Sequence, residues 1–247
     1  MQQTLAGPIS YKKADYRPAT PTSEITEIKS LFREMSLQYA TYQPASYYLP
    51  LKRTMDVAIS MFFIITILSW LYPIIALLIR LTSKGPVLFV QKRTGYLGVE
   101  FDCLKFRTMY PNAEADLKQA THRDKRITPI GRLLRATHLD ELPQLFNVLM
   151  GDMSIIGPRP HMLYHTRFYA KSIPYYNLRH EAKPGMTGMA QIKGYIGEIS
   201  AERELRKRIQ WDVYYLKNRS MSLDISIFFT TIMQVFAKAF HFAKRKD

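Results

Sequence analysis

The chain has 247 residues, enough for one or two domains with a hydrophobic core. Its 35 Lys and Arg against 20 Asp and Glu give a formal net charge of +15, which suits nucleic acid, anionic lipid headgroups or phosphorylated substrates. The single cysteine, Cys103, excludes an internal disulfide and is typical of a reducing compartment.

Residues 1–50 form a polar segment with several prolines and one helical pattern. Ser23 is a suitable N-cap for a helix. The apolar side chains that follow it at helical spacing are Ile25, Ile28, Phe32 and Met35. The sequence therefore predicts an N-terminal arm with one amphipathic docking helix.

The segment from Val57 to Ile79 contains no charge and is long enough to cross a bilayer as a helix, which takes about 20 residues. Its length alone predicts an ordinary span. Positive charge, which favours the cytoplasm, flanks both ends, with Lys52 and Arg53 before the segment and Arg80 after it. Pro73 removes a backbone donor and kinks the helix. These residues leave a plain span and a re-entrant helix-break-helix equally open.

Residues 86–106 predict an antiparallel hairpin, because apolar segments flank the turn Gly95–Gly98. Lys105 and Arg107 come at the end of its second strand. The elements predicted after it are a helix followed by a loop in 111–130, a turn and short strand in 183–194, and a charged helix over 200–217.

The C-terminal segment carries an apolar stripe at helical spacing and ends in the basic tail Lys244-Arg245-Lys246. The stripe consists of Ile225, Phe228, Ile232, Phe236 and Phe240. Such a helix can lie in the headgroup plane of a membrane. It can equally pack on the core of a domain, so the pattern leaves both placements open.

Asp140 and Glu141 are adjacent carboxylates between a basic flank and the turn Gly157-Pro158-Arg159-Pro160. Proline is tolerated only in the first turn of a helix, so Pro143 predicts a helix that begins at Asp140 or just before it. Asp is a favoured N-cap and Glu stabilises a first turn. Helix capping is therefore the structural interpretation of the pair.

The same geometry also favours chemistry on a phosphate. Amides at the start of the helix would lower the pKa of Asp140 and keep it ionised as a nucleophile. Glu141 could hold a divalent cation, because Mg²⁺ is commonly bound by one or two carboxylates plus substrate phosphates. Arg159, on a stiff turn, suits a bidentate phosphate contact. Further candidate phosphate ligands are Lys105, Arg107 and Arg135.

No Walker A, GxGxxG, paired CxxC or HExxH pattern occurs, so P-loop, Rossmann and zinc chemistry lack support. A series of other motifs does occur. They are Lys52-Arg53-x-x-Asp56, Gly85-Pro86-Val87, Gln91-x-Arg93-x-Gly95, Lys105-Phe106-Arg107-Thr108-Met109, Leu139-Asp140-Glu141-Leu142-Pro143-Gln144-Leu145-x-Asn147-Val148, Gly151-Asp152-Met153-Ser154-x-x-Gly157-Pro158-Arg159-Pro160 and Lys183-Pro184-Gly185-x-Thr187-Gly188-x-Ala190-Gln191. In these motifs the chain resembles the bacterial sugar transferase family, the monotopic phosphoglycosyl transferases, from about Lys52 to about Asp224.

The resemblance implies an enzyme that moves a hexose-1-phosphate from a UDP-sugar to a polyprenyl phosphate, releases UMP and uses Mg²⁺. Asp140 would attack the sugar-proximal phosphate and form a phosphosugar-aspartate, which the lipid phosphate then displaces. Glu141 would bind the metal. The residues implied to bind substrate are Arg135 and Arg159, at phosphate-binding positions, with Lys105 and Arg107 in the family's KFR segment.

The expected fold is α+β: a small, mostly helical catalytic domain with a short antiparallel hairpin, a re-entrant membrane helix-break-helix and interfacial amphipathic helices. The predicted segments are the N-terminal arm (1–50), the re-entrant helix (51–84), the cytoplasmic-face catalytic domain (85–224) and the C-terminal amphipathic helix with its basic tail (225–247).

The resemblance places the protein at the cytoplasmic face of a bacterial inner membrane, in the first membrane step of a surface glycan pathway such as exopolysaccharide, lipopolysaccharide or capsule. Its expected partners are a UDP-sugar, polyprenyl phosphate and anionic membrane lipids, without nucleic acid, and a homo-oligomer stays open. Two alternatives also stay open. One is a membrane-associated glycosyltransferase that releases UDP, and the other is a non-enzymatic basic membrane adaptor.

The chain departs from the family pattern at two places. Tyr72-Pro73 stands at the membrane break, where many members have Ser-Pro. Ile196 precedes Gly197-Glu198, where many hexose-specific members have an arginine. The second departure leaves the identity of the sugar open.

Overall fold

The computed structural model describes residues 44–112, 121, 124–173, 175–197 and 202–244. The helix predicted at residues 23–35, much of the helix predicted in 111–130, and Glu198 lie outside the described residues. Within the described part of the chain most elements are helices, accompanied by two small two-stranded sheets. This architecture agrees with the predicted α+β class.

Eight α-helical segments and four strands are labelled here in chain order. The helices are α1 (Tyr48–Phe63), α2 (Ser69–Thr82), α3 (Pro129–Ala136), α4 (Gln144–Met150), α5 (Leu163–Ser172), α6 (Met189–Ile192), α7 (Glu202–Asn218) and α8 (Met221–Lys244). The strands are β1 (Leu88–Thr94), β2 (Glu100–Phe106), β3 (Ser154–Ile156) and β4 (Gly185–Thr187). Short 3₁₀ turns cover Tyr96–Gly98, Leu139–Glu141 and Tyr176–Glu181.

Helices α1 and α2 belong to one long apolar helix, Tyr48–Thr82, whose 35 residues are long and apolar enough to cross a membrane. A π-helical segment, Ile64–Leu68, joins its two halves, and Pro73 lies inside α2. Both features cause kinks in helices. The backbone stays helical at Pro73, where the break is predicted, and the departure from α-helical geometry lies at Ile64–Leu68 instead.

The first half of the long helix is attached to the rest of the chain by polar side chains. The Asp56 carboxylate accepts hydrogen bonds from the Ser154 hydroxyl at 3.0 Å and the Ile155 amide at 2.9 Å, which joins α1 to β3. Arg53 donates to the carbonyls of Val148 and Leu149 at 2.6 and 2.7 Å. These carbonyls belong to the last turn of α4, which has no intrahelical partners for them.

Asp224 connects three helices at one buried point. Its carboxylate is fully buried and accepts hydrogen bonds from Tyr48 at 2.9 Å, Lys52 at 2.8 Å and Tyr215 at 2.8 Å. The donors lie on α1 and α7, whereas Asp224 lies near the start of α8. The motif residue Lys52 therefore pairs with a carboxylate from the far end of the described chain.

The second half of the long helix contacts the domain through apolar side chains. Ile75 and Ile79 are buried in a cluster with Val87, Phe106 and Leu134. Both halves of the helix thus pack against one domain, α1 on α4 and β3, and α2 on α3 and the hairpin end.

The predicted hairpin is confirmed. Strands β1 and β2 pair antiparallel, from Leu88 opposite Phe106 to Thr94 opposite Glu100. Asn147 holds β2 against α4, because its side chain donates to the Asp102 carbonyl at 2.8 Å and accepts from the Leu104 amide at 3.0 Å. The hairpin is therefore anchored close to the Asp140-Glu141 segment.

The short strand predicted within 183–194 is also confirmed, as β4. It pairs with β3 in parallel. The backbones then come so close that a Cβ atom at Gly157 would overlap the Lys183 carbonyl oxygen, and one at Gly185 would overlap the Gly157 amide. Glycine is needed at both positions because of this approach, which explains their place in two separate motifs.

Helix α8 packs on the core with one face and leaves apolar side chains of the other face exposed, and Ile225 of the predicted stripe lies on the exposed face. Ile227 is fully buried in the core cluster. The opposite face leaves Ile225, Phe229 and Met233 exposed by 45%, 60% and 70%. The side chains of Phe236 and Phe240 lie outside the described residues.

Candidate active site

A cavity of about 520 Å³ lies between the hairpin, the 3₁₀ turn Leu139–Glu141 and the segment after β3. Its walls include every residue that the sequence predicts for the site: Lys105, Arg107, Arg135, Asp140, Glu141 and Arg159. The structure therefore brings together side chains that come from four separate segments of the chain.

The segment that carries the two carboxylates folds differently from its prediction. His138 adopts a left-handed conformation, with φ of 59°, and turns the chain from α3 into the 3₁₀ turn. Helix α4 begins only at Gln144, and Pro143 occupies its N-cap position without a side-chain hydrogen bond. The helix predicted to start at Asp140, and the capping role given to Asp140, are therefore wrong.

Glu141 is a partly buried carboxylate held by two cations. It accepts a hydrogen bond from Lys105 Nζ at 2.6 Å, and two from the Arg159 guanidinium, of which one, to Oε2, measures 3.0 Å. Burial alone raises the pKa of Glu141, but the charges of Arg159 and Lys105 outweigh it and hold that pKa well below its usual range.

Asp140 lies in a contrasting environment. It is 9% exposed and lines the cavity, yet within the described residues its carboxylate makes no hydrogen bond or ion pair. Burial and the neighbouring charge of Glu141 raise the pKa of Asp140 to about 6, against the opposing charges of Lys105, Arg135 and Arg159. The lowered pKa predicted for Asp140 from helix amides is therefore wrong. Its carboxylate is nevertheless mostly ionised at pH 7.

Arg159 is positioned by residues to which the sequence assigned no role. Arg93 donates to the Pro160 carbonyl, and Arg179 donates to the carbonyl of Arg159 itself, both at 2.6 Å. Arg179 also forms a fully buried ion pair with Asp212 at 2.7 Å. Arg93 stands in one of the family motifs, so its position was visible in the sequence, but no local signal links Arg179 and Asp212 to the site.

The other two predicted phosphate ligands differ in how firmly they are held. Arg135 donates one bond, to Thr108 Oγ1 at 3.3 Å. Arg107 donates to the Ser83 carbonyl at 2.7 Å and the Lys84 carbonyl at 3.1 Å, so its terminal nitrogens cap the end of α2. Arg107 forms part of the cavity wall, and its hydrogen bonds in this state are structural.

The carboxylates allow a simple test of the predicted magnesium site. No group of three His, Cys, Asp or Glu that could ligate a metal is found where the structure describes the chain. Mg²⁺ often needs only one or two carboxylates, because it retains waters and uses substrate phosphates. Asp140 is uncommitted, and Glu141 Oε2 accepts one bond among the described residues, so the donor set fits an ion shared with a substrate.

Comparison with known proteins gives one family match. The family model for bacterial sugar transferases matches residues 47–238. A UDP-glucose:undecaprenyl-phosphate glucose-1-phosphate transferase of Klebsiella pneumoniae is 45% identical over 186 residues, which cover 75% of this chain and 40% of that protein.

Two further relatives differ in length and in the sugar that they are named for. A protein of Caulobacter vibrioides with the same name as the Klebsiella one is 42% identical over 182 residues, covering 73% of this chain and 68% of that protein. A UDP-N-acetylgalactosamine-undecaprenyl-phosphate N-acetylgalactosaminephosphotransferase of Aeromonas hydrophila is 40% identical over 200 residues, covering 80% and 46%. The chain thus spans less than half of the Klebsiella and Aeromonas relatives.

Proposed function

The chain belongs to the bacterial sugar transferase family, and on that premise we propose that it transfers a sugar-1-phosphate from a UDP-sugar to a polyprenyl phosphate and releases UMP. The observation that carries the proposal is that the adjacent carboxylates of Asp140 and Glu141 have different contacts. Asp140 is uncommitted in the cavity, whereas Glu141 organises Lys105 and Arg159 beside it. The names of the relatives describe this type of transfer for those proteins.

In the first step, Asp140 is the nucleophile. One of its carboxylate oxygens attacks the phosphorus that bears the sugar, and the bond from that phosphorus to the bridging oxygen of UMP breaks. UMP leaves with the electron pair, and a phosphosugar-aspartate remains. Lys105, Arg135 and Arg159 supply positive charge where negative charge develops on the phosphates.

In the second step, the phosphate of the polyprenyl carrier attacks the same phosphorus. The bond to Asp140 breaks, and the carboxylate is regenerated. The product is a polyprenyl diphosphosugar. Because the leaving group is a phosphate oxygen in the first step and the Asp140 carboxylate in the second, each departs as a stable anion, and the protein needs no general acid to protonate it.

We assign the proposed Mg²⁺ to Glu141, with Asp140 adjacent. A divalent cation bound there would neutralise charge on the diphosphate of the donor. Glu141 also keeps Lys105 and Arg159 near the same diphosphate. Glu141 positions Lys105 and Arg159 without a bound metal ion, because both side chains already donate hydrogen bonds to its carboxylate.

For the membrane arrangement we propose a re-entrant long helix, with the domain on the cytoplasmic face of a bacterial inner membrane. Both ends of this helix contact one domain, through Asp56 at one end and Ile79 at the other. A straight span would carry its ends to opposite sides of the bilayer. Apolar side chains on the outward face are available for lipid, among them Phe62, Ile65, Trp70, Leu77 and Leu81, and the net charge of +15 favours anionic headgroups.

The nucleotide product tests this function against its alternatives. The full chain in detergent or nanodiscs is incubated with polyprenyl phosphate, Mg²⁺ and a panel that includes UDP-glucose and UDP-N-acetylgalactosamine. We expect UMP with at least one donor, and its loss in Asp140→Asn but not in Asp102→Asn. Release of UDP would identify a glycosyltransferase, and no nucleotide product across the panel would favour a non-enzymatic adaptor.

A further inference from the structure

The cavity has a second end, away from the long helix. Pro86, Arg107 and Tyr110 line the first end, next to the end of α2. The second end, named here the histidine end, is lined by His161, His165, Tyr169 and Arg208. It adjoins the opposite tip of β1, because the Thr94 amide donates to the His161 carbonyl at 3.2 Å. The 7-residue strand β1 therefore runs between the two ends.

The histidine end contains buried polar atoms that lack partners. His161, His165 and Arg208 are only 7%, 8% and 6% exposed. Among the described residues, His161 Nε2, both ring nitrogens of His165, and Arg208 Nε have no hydrogen-bond partner. A buried polar atom without a partner is destabilising, so such atoms usually meet a ligand or ordered water.

The rings are also held in place. His161 Nδ1 shares a hydrogen bond with the Tyr176 hydroxyl at 2.7 Å, which leaves Nε2 for the cavity. His165 stacks on Tyr169, with ring centroids 5.4 Å apart. Arg208 is fixed by a bond of 3.1 Å from its Nη2 to the Gly197 carbonyl. Rigid groups of this kind suit the recognition of a specific arrangement of ligand atoms.

The chemistry of the two histidines favours hydroxyl groups over phosphates. Burial lowers the pKa of His161 well below its usual range, helped by the charge of Arg179. Burial and the charge of Arg93 also lower the pKa of His165. A lowered pKa favours the neutral imidazole, which offers one donor and one acceptor, as a hydroxyl does.

The order of the reaction decides which hydroxyls reach this end. In phosphoryl transfer the attacking and leaving oxygens lie roughly in line. UMP leaves from the side opposite Asp140, and the lipid phosphate later attacks from that same side. The lipid chain has to approach from the apolar long helix, so this shared position belongs to the first end of the cavity. The second end of the cavity therefore remains for the transferred sugar.

We infer that the histidine end binds the hydroxyl groups of the transferred hexose, with His161, His165 and Arg208 as the specificity-determining contacts. This inference rests on the two-step transfer proposed above. It assigns the uridine to the first end, where UMP and the lipid phosphate succeed each other.

The test compares binding of a UDP-sugar with binding of UMP. Titration calorimetry uses the full chain with Asp140→Asn, which blocks turnover, in Mg²⁺ with UDP-glucose, UDP-N-acetylgalactosamine and UMP. Adding His165→Leu should weaken the UDP-sugar about tenfold, as expected for a lost buried hydrogen bond, and leave UMP affinity within about twofold. His165→Gln, which keeps a donor and an acceptor, should recover part of the loss. Lys171→Ala, exposed on the same helix, is the control and should change neither.

Each other outcome contradicts the assignment in a distinct way. Equal weakening of UDP-sugar and UMP would place the nucleoside at the histidine end. Unchanged affinity for both would make His165 structural. If His165→Leu does not fold, His161→Gln and Arg208→Lys provide the same comparison, with the same expected and contradicting results. A parent protein that binds neither UDP-sugars nor UMP would instead overturn the proposed function.

Discussion

At the scale of single residues, the site depends on two neighbouring carboxylates with opposite surroundings. Glu141 is surrounded by Lys105 and Arg159, which hold its pKa low although burial acts against them. Asp140 is buried without such partners, and burial and Glu141 raise its pKa to about 6. Two acidic groups whose pKa values are pushed apart are typical of a site where one reacts and the other binds.

The raised pKa of Asp140 predicts a pH dependence of the first step. Because only the ionised carboxylate can attack, kcat/KM for the UDP-sugar should be level above pH 7 and fall about tenfold per pH unit below about pH 6. UMP release at low donor concentration from pH 4.5 to 8 measures it. A level profile down to pH 4.5 would show that protonation of Asp140 does not limit the reaction.

The same shift predicts an effect on stability. The folded state binds the Asp140 proton more tightly than the unfolded state does, so this contribution is present at low pH and lost as pH rises through about 6. Asp140→Asn should therefore raise the free energy of unfolding by about 2–3 kcal/mol at pH 8, and by much less at pH 4. Thermal unfolding midpoints at both pH values test this. Asp102→Asn, in an exposed pair with Lys92, should show no such pH dependence.

At the scale of elements, the motif Lys52-Arg53-x-x-Asp56 attaches the long helix to the domain. Lys52 pairs with Asp224, Arg53 caps the end of α4, and Asp56 binds the start of β3. Each side chain thus has a different partner. A buried ion pair that loses one member leaves an uncompensated charge, which is strongly destabilising.

Asp224→Asn should therefore destabilise the fold, because it removes the ion-pair partner of the buried Lys52. The expected loss is about 3–5 kcal/mol, read as a lower thermal unfolding midpoint in detergent. Glu202→Gln removes the exposed partner of Arg206 and should leave the unfolding midpoint nearly unchanged. Equal shifts of the unfolding midpoint for the two variants would show that the hydrogen bonds of Asp224 do not hold the three helices together.

The elements differ in how far the sequence predicts them, for physical reasons. The hairpin and β4 were predictable because short apolar segments beside glycine-containing turns are typical of β-strands. The start of α4 was not, since a 3₁₀ turn accommodates Pro143 as well as an α-helix does, and the left-handed His138 has no sequence signal. The role of Arg107 was hidden because its partners, Ser83 and Lys84, lie in a different element.

At the scale of the whole molecule, the sequence again predicts some features of the site and not others. The six predicted site residues share one cavity, and the close approach of Gly157 and Gly185 fixes the backbone just before Arg159. Arg179, Asp212 and the residues of the histidine end could not be predicted from the sequence, since they come from separate elements that meet only in the folded chain. The residues alone left the path of the long helix open, and its packing on one domain now favours a re-entrant path.

A labelling experiment tests that path. Single cysteines replace Tyr47, which is 69% exposed, and the exposed Lys84, at the two ends of the long helix. Cys103 is 1% exposed and can remain. In intact cells an impermeant maleimide should label neither position, and both should react after permeabilisation. Labelling of one end alone in intact cells would establish a true span.

The covalent intermediate is the most direct test of the central claim that Asp140 is the nucleophile. Protein is mixed with Mg²⁺ and an active UDP-sugar, without a lipid acceptor. We predict a burst of UMP of no more than one equivalent, an intact-protein mass increase of one sugar phosphate, and its location on Asp140 by peptide mapping. Adding polyprenyl phosphate should reverse the mass change, and Asp140→Asn should show neither burst nor adduct. Turnover by Asp140→Asn, or a sugar phosphate on another residue, would contradict the assignment of Asp140 as the nucleophile.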